Sequence, residues 1–410
     1  MHSKNIINKI TAGLFRHPLL STVPYEYSET DAEKIFRVIL SGKLTHNTGN
    51  EIISLEREFS DYIGTKYGVA TNSGTSSLHL AMKAVGIQPG DEVVVPAYTF
   101  IAVAQAVLLC GGVPIFADID DTFALSPASI EAAITPRTKA IIVVHMFGNV
   151  ADMKQIQTTA KKHKLFVIED CAQAVGARWN GKRVGSLSDI GCFSFNEKKA
   201  IPIGQGGMLT TSNPLFYRNA IATRNTGIEM IGGKIDVTTI GSTLFMTEIQ
   251  AALARRVLPH LDRLNSTRAD NFHTIQNQIQ VLKEHLQTYK IVQGAEPSFS
   301  RFVCMVDFRY IGISREVFID RMRKEGIPMK TFYPLPLYKY TIFREKKDMI
   351  MQKTFPFSEN THINYRALHL PFTEQFCVQQ VGMEFSPYLS HADALQIGQS
   401  IRRVFRRIEN

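Results

Sequence analysis

The sequence predicts an α/β protein, with a mainly parallel central sheet, helices on both faces and a smaller α+β unit towards the C-terminus. Between Tyr67 and Thr211 short β-rich runs alternate with helical runs of crossover length, which is the pattern of a covered parallel sheet. Beyond Thr247 a long helical pattern gives way to one strand-like run and two further helices, which suits a second, smaller unit. The boundaries expected from these shifts are an N-terminal extension over 1–22, a large domain over 23–259 and a small domain over 260–410.

In chain order, residues 1–22 set Lys4, Lys9 and Arg16 among Ile6, Ile7, Ile10, Leu14 and Phe15, a short amphipathic pattern expected to pack on the body or on a partner. Thr30–Leu40 and Asn50–Tyr62 have helical spacing, with Thr30 and Asn50 as N-caps. The strand candidates are Val93–Val95, Pro114–Phe116, Ile141–Val144 and Phe166–Ile168, with helices starting near Ser76, Phe100, Ser126 and Ala151 between them. After Gly207 come a strand, a helix over Leu215–Arg224, and a helix from Thr247 to Leu264 whose pattern extends past Phe272. Phe302–Phe308 reads as a strand, and Arg315–Glu325 and His391–Arg407 read as helices.

Composition narrows the function. The chain has 410 residues, 44% apolar and 20% charged, ordinary values for a globular protein of two domains. No apolar run reaches the ~18 residues of a membrane span and no secretory h-region opens the chain, so the cytoplasm is expected. Cys110, Cys171, Cys192, Cys304 and Cys377 are scattered, which suggests neither a disulfide framework nor a metal site. The net charge of +9 is spread along the chain, and its clearest cluster, Arg402-Arg403 with Arg406-Arg407, reads as a solvated helix face rather than a nucleic-acid surface. No Gly-x-Gly-x-x-Gly follows the first strand, which disfavours a nicotinamide enzyme.

Chemistry concentrates in one stretch. Phe166-Val-Ile-Glu-Asp170 is an apolar run ending in acid, suited to a buried strand delivering a carboxylate where open α/β sheets bind ligands. Cys192-Phe-Ser194-Phe-Asn-Glu-Lys-Lys199, followed by Gly204-Gln-Gly-Gly207, reads as a second strand that carries a lysine among aromatic and small residues. Strand alternation would send Lys198 and Lys199 to opposite faces. Upstream, Asn72-Ser-Gly-Thr-Ser-Ser77 precedes an apolar helix, where hydroxyls and backbone N–H groups would surround an anion.

Glu169-Asp170-x-Ala172-Gln173, Ser194-Phe195-x-x-x-Lys199 and Gly-x-Gly-Gly together resemble the DegT/DnrJ/EryC1/StrS family of pyridoxal-phosphate-dependent sugar aminotransferases. The likeness covers roughly residues 30–260. It implies the fold-type-I pyridoxal-phosphate transferase fold, with Lys199 as the lysine that carries the cofactor and acts as base. Asp170 would then face the pyridine nitrogen, and Gln173 would lie beside the ring oxygen, a plain helix-start residue being the alternative. Gly74, Thr75, Ser76 and Ser194 would hold the phosphate, and Phe100 would stack on the ring. Glu169 and His145 read as structural. The resemblance further implies a homodimer with shared active sites, an amino-acid donor and a keto-sugar acceptor, most often nucleotide-linked. A cyclitol acceptor, or a cofactor-free regulatory role, stays open.

The sequence also departs from the family pattern. Gly-aromatic-Asn-aromatic-Arg-Met is here Gly241-Ser-Thr243-Leu-Phe245-Met, which puts a cross-subunit phosphate contact in question, and Gln205 stands where the family has glutamate.

Overall fold

The computed structural model describes residues 25–349 and 363–409. The amphipathic pattern expected over 1–22 lies outside them.

The strands, in chain order, are β1 (Tyr67–Thr71), β2 (Glu92–Pro96), β3 (Val113–Ala117), β4 (Thr138–Val144), β5 (Phe166–Asp170), the short β6 (Arg178–Trp179) and β7 (Lys182–Arg183), β8 (Ile190–Ser194) and β9 (Gly207–Thr211). Seven of them form one sheet in the order β1-β9-β8-β5-β4-β2-β3. All pairings are parallel except those of β9, which runs antiparallel to both β1 and β8.

The apolar runs of β2 and β4 are continuous because both of their faces are buried. Val93, Val95, Ile142 and Val144 point into one core and Val94, Ile141 and Val143 into the other, as the two-residue period of a strand requires. Leu78 and Met82 from helix Gly74–Ala84, and Val103 and Val107 from helix Ala102–Leu109, cover the first face. Leu55 and Phe59 from helix Glu51–Ile63, and Met153 and Ile156 from helix Met153–His163, cover the second.

Further along are a hairpin, β10 (Ile228–Ile231) and β11 (Lys234–Val237), then β12 (Leu286–Thr288), β13 (Ala295–Glu296), β14 (Arg301–Val306) and β15 (Gln380–Glu384). Strands β12-β14-β15 make an antiparallel sheet. Phe272 and Ile275 of helix Leu261–Ile279 share its core with Ile397 and Ile401 of helix His391–Glu409. Among the described residues no helix is long and apolar enough to cross a membrane.

Three local expectations are corrected. The first helix starts at Glu29, one residue before Thr30, and its cap is Ser28, whose hydroxyl accepts from Asp31 N–H while the Asp31 carboxylate accepts from Ser28 N–H. Asn50 does stand at the N-cap of the second helix, yet its side chain makes no capping bond. Instead the buried carboxylate of Glu248 accepts from the N–H groups of Glu51 (2.6 Å) and Ile52 (3.3 Å). The long helix expected from Thr247 is broken. Pro259 lies in a turn, Leu258–His260, that separates helices Glu248–Val257 and Leu261–Ile279, because proline offers no N–H to the preceding turn.

Candidate active site

The register of the large sheet brings the chemistry-bearing segments to one edge. Thr71 pairs with Gly207, Gly207 with Ser194, Cys192 with Asp170, and Asp170 with Val144. Asn72–Ser77, Ser194–Lys199, Gly204–Gly207, Asp170–Gln173 and His145 therefore all adjoin the carboxyl ends of the parallel strands, the edge at which open α/β sheets take ligands.

Ser73 caps helix Gly74–Ala84 by accepting from Ser76 N–H (3.1 Å), and the Ser76 hydroxyl donates to Asn72 Oδ1 (2.6 Å). The start of the helix is crowded by its neighbours. A Cβ on Gly74 would lie 2.7 Å from Ser194 Cβ, and one on Gly207 would lie 2.5 Å from the Ser73 carbonyl oxygen. Glycine is required at both positions by this close approach. The structure thus places Gly74, Thr75, Ser76 and Ser194 together, with helix-start N–H groups and hydroxyls suited to a dianion.

Asp170 ends β5 and is buried. Its Oδ1 accepts from Ala172 N–H (2.9 Å), and burial pushes its carboxyl above the ordinary range, opposed by that hydrogen bond and by the nearby Lys199. Glu169, one residue earlier, faces the other way. It accepts from Gly185 N–H (2.8 Å), Leu187 N–H (2.9 Å), the Ser188 hydroxyl (2.9 Å) and His145 Nε2 (3.0 Å). His145 Nδ1 accepts from Ala151 N–H (3.2 Å), so the ring proton sits on Nε2. Both side chains are buried and hydrogen-bonded within the protein. Cys171 lies with them within ligating reach, but the Glu169 oxygens are filled by hydrogen bonds, which leaves nothing for an ion.

Strand alternation does not separate the two lysines. Strand β8 ends at Ser194, and Lys199 N–H donates to the Asn196 carbonyl (2.8 Å) while Lys198 N–H donates to Asn196 Oδ1 (3.2 Å). Asparagine's short side chain stabilises this turn. Lys198 is exposed and Lys199 half-buried. Burial, then the positive charge of Arg301, lowers the Lys199 amine to about 8, against the raising effect of Asp170 and Glu384.

Gln173 is buried in a turn with no helix following, which removes the helix-start alternative. Its Oε1 accepts from Phe147 N–H (3.2 Å) and Arg301 Nη1 (2.6 Å). Phe100 is 53% exposed, unusual for a phenylalanine in this chain, and its ring centroid is 6.2 Å from that of Tyr333. Burial pushes the Tyr333 hydroxyl above its ordinary range, opposed by the charge of Arg301.

Arg301 and Tyr333 were not singled out from the sequence. The available signal was an arginine heading an otherwise apolar strand, Phe302–Val306.

In the divergent stretch, Phe245 stacks on His46 (centroids 3.9 Å, planes 20° apart) and lies under Arg224 (5.0 Å). Arg224 is itself committed to Glu56 (2.6 Å) and the Ala70 carbonyl (3.0 Å). The aromatic is therefore part of an internal stack, where an arginine would meet an existing buried cation.

The sequence pattern of the DegT/DnrJ/EryC1/StrS aminotransferase family matches residues 26–383. The chain belongs to this family. It is an aminotransferase of the fold-type-I pyridoxal-phosphate class. It is 38% identical over 335 residues to a UDP-N-acetyl-3-dehydro-alpha-D-glucosamine 3-aminotransferase of Acidithiobacillus ferrooxidans, covering 81% of this chain and 86% of that one. It is 30% identical to a putative L-glutamine:3-amino-2,3-dideoxy-scyllo-inosose aminotransferase of Streptoalloteichus tenebrarius, over 97% and 98% of the two chains. An aminotransferase structure from Psychrobacter cryohalolentis superposes with a TM-score of 0.83 at 29% identity, covering 94% of this chain and 98% of that one.

The residues at the sheet edge fit pyridoxal phosphate. A buried carboxylate raised by desolvation suits a protonated ring nitrogen, and a crowded helix start lined by hydroxyls suits the phosphate.

Proposed function

We propose that this aminotransferase moves an amino group from glutamate or glutamine to the carbonyl of a nucleotide-linked keto sugar, in amino-sugar biosynthesis. The observation that carries the site assignment is the convergence of Lys199, Asp170 and the Ser73–Ser77 helix start at one sheet edge. The substrate class draws its support from the UDP-sugar relative, which matches across most of both chains.

In this reading Gly74, Thr75, Ser76 and Ser194 hold the phosphate, Asp170 faces the ring nitrogen, Gln173 lies at the ring oxygen and Phe100 covers the ring. Bound pyridoxal phosphate supplies a carbonyl for the amine and an electron sink for the proton shift. Lys199 Nζ, neutral in a much larger fraction than an ordinary lysine at neutral pH, would bond the cofactor carbonyl and, once released by the incoming amine, take the proton from the donor's amine-bearing carbon in one half-reaction and deliver one to the acceptor carbon in the other. Asp170 keeps the ring nitrogen protonated.

We infer further that the chain divides at about 259/260, that it works in the cytoplasm and that it pairs with a second copy so as to complete two active sites. Exposed apolar side chains support the pairing: Leu40 is 70% exposed, Ile235 73% and Ile240 85%, on the first described helix and on and beside the hairpin β10–β11. The relative named for an inosose derivative favours a cyclitol as the second reading.

The test is transfer of nitrogen-15 from labelled glutamate or glutamine, followed by mass spectrometry, with a UDP-linked 3-keto sugar and scyllo-inosose offered separately. Labelled amino sugar with release of the matching 2-oxo acid is the expected result. Amination of the inosose alone would replace this reading by the second, and transfer to neither acceptor would refute both.

A further inference from the structure

A buried arginine reaches the site from the other sheet. Arg301 opens β14 and is only 8% exposed. A guanidinium in such a place must have its donors filled. Its Nε donates to Glu384 Oε2 (3.0 Å) on β15, and its Nη1 donates to Gln173 Oε1 (2.6 Å) on the far side of the cleft. Its carbon lies 4.9 Å over the Phe332 ring. Lys330 Nζ holds the other oxygen of Glu384 (2.9 Å), which locks the carboxylate that locks the arginine.

The consequence falls on Gln173. An amide can present either end, but here one atom receives two donors, Phe147 N–H and Arg301 Nη1. That atom must be the oxygen, so the NH2 end is left facing only the Met146 sulfur (3.4 Å), a weak acceptor. Were Arg301 absent, the amide would lose the stronger reason for its orientation.

We propose that Arg301 is a positioning residue for this active site: it holds the oxygen end of Gln173 so that the amide offers its N–H to the bound cofactor. The proposal rests on the placement of Gln173 at the ring oxygen given under Proposed function.

Equilibrium dialysis of pyridoxal phosphate tests the clamp. Gln173→Ala and Arg301→Gln each weaken binding several-fold, and the double variant binds no worse than the weaker single one. Independent, multiplying losses overturn the clamp. Absence of any effect of Gln173→Ala would sink the ring-oxygen assignment and the clamp with it, whereas a loss in Gln173→Ala that is not shared by Arg301→Gln overturns the clamp alone. If Arg301→Gln does not fold, Glu384→Gln, which frees the guanidinium from its 3.0 Å partner, takes its place in the same cycle.

Discussion

Replacing Asp170 by asparagine removes one charge and little else. The amide oxygen still accepts from Ala172 N–H, which now holds Oδ1 at 2.9 Å, and the volume is unchanged. What is lost is the carboxylate that, in the proposed site, faces the ring nitrogen. At about 4 Å and an effective dielectric near 20 that pair is worth roughly 4 kcal/mol, or about three pKa units in favour of the protonated ring. The ring would then be mostly neutral at pH 7, and kcat/KM for amino transfer should fall roughly 100- to 1,000-fold. The unloaded chain gives a second readout. Burial raises the Asp170 pKa in the folded state above its unfolded value, so the folded state holds the extra proton. Stability therefore falls as pH rises from the ordinary carboxyl pKa through the raised one, and Asp170→Asn should lack that slope in urea titrations. Steady-state rates within threefold of wild type, at full cofactor loading, would refute the assigned role.

Lys199 and Glu248 give two further tests. With its amine at about 8 rather than near 10.5, Lys199 is neutral in ~9% of molecules at pH 7 instead of ~0.03%. Cofactor uptake by the stripped chain, followed by visible absorbance in stopped flow, should rise with pH about a midpoint near 8. A rise continuing unbroken to pH 10 would contradict the lowered amine. The same depression leaves the unfolded state binding more protons between about 8 and 10.5, so this residue's contribution to stability improves with pH across that window. Glu248→Ala uncovers two buried helix N–H groups and should cost about 1–3 kcal/mol in chemical denaturation, with cofactor affinity changed less than twofold.

Much of the fold is legible because strands buried on both faces write themselves as uninterrupted apolar runs. Val93–Val95 and Ile141–Val144 are read correctly for that reason. Asp170 and the Ser73–Ser77 stretch stand at a strand end and a helix start, where local pattern puts them, whereas the choice of Lys199 over Lys198 comes from the family resemblance. What local pattern misses is set by partners far away in the chain. The cap of helix Glu51–Ile63 comes from Glu248, 197 residues on, and Gly49 is glycine because a Cβ there would meet the Glu248 carboxylate at 2.3 Å. Arg301 is 128 residues from the glutamine it holds. The strand alternation expected to part Lys198 from Lys199 does not operate, because Asn196 turns the chain before either lysine. The helix expected from Thr247 to Leu264 runs across Pro259, and the periodic pattern outweighs a proline that in the structure stands at the break.

The central claim is that Lys199, and not its neighbour, is the amine that takes the cofactor. Borohydride reduction of the pyridoxal-phosphate-loaded chain, followed by peptide mapping, decides it. The predicted result is a single stable pyridoxyl adduct on Lys199, absent from Lys199→Ala and undiminished in Lys198→Ala. An adduct on Lys198 or outside 194–207, or no adduct at full loading, would contradict the account.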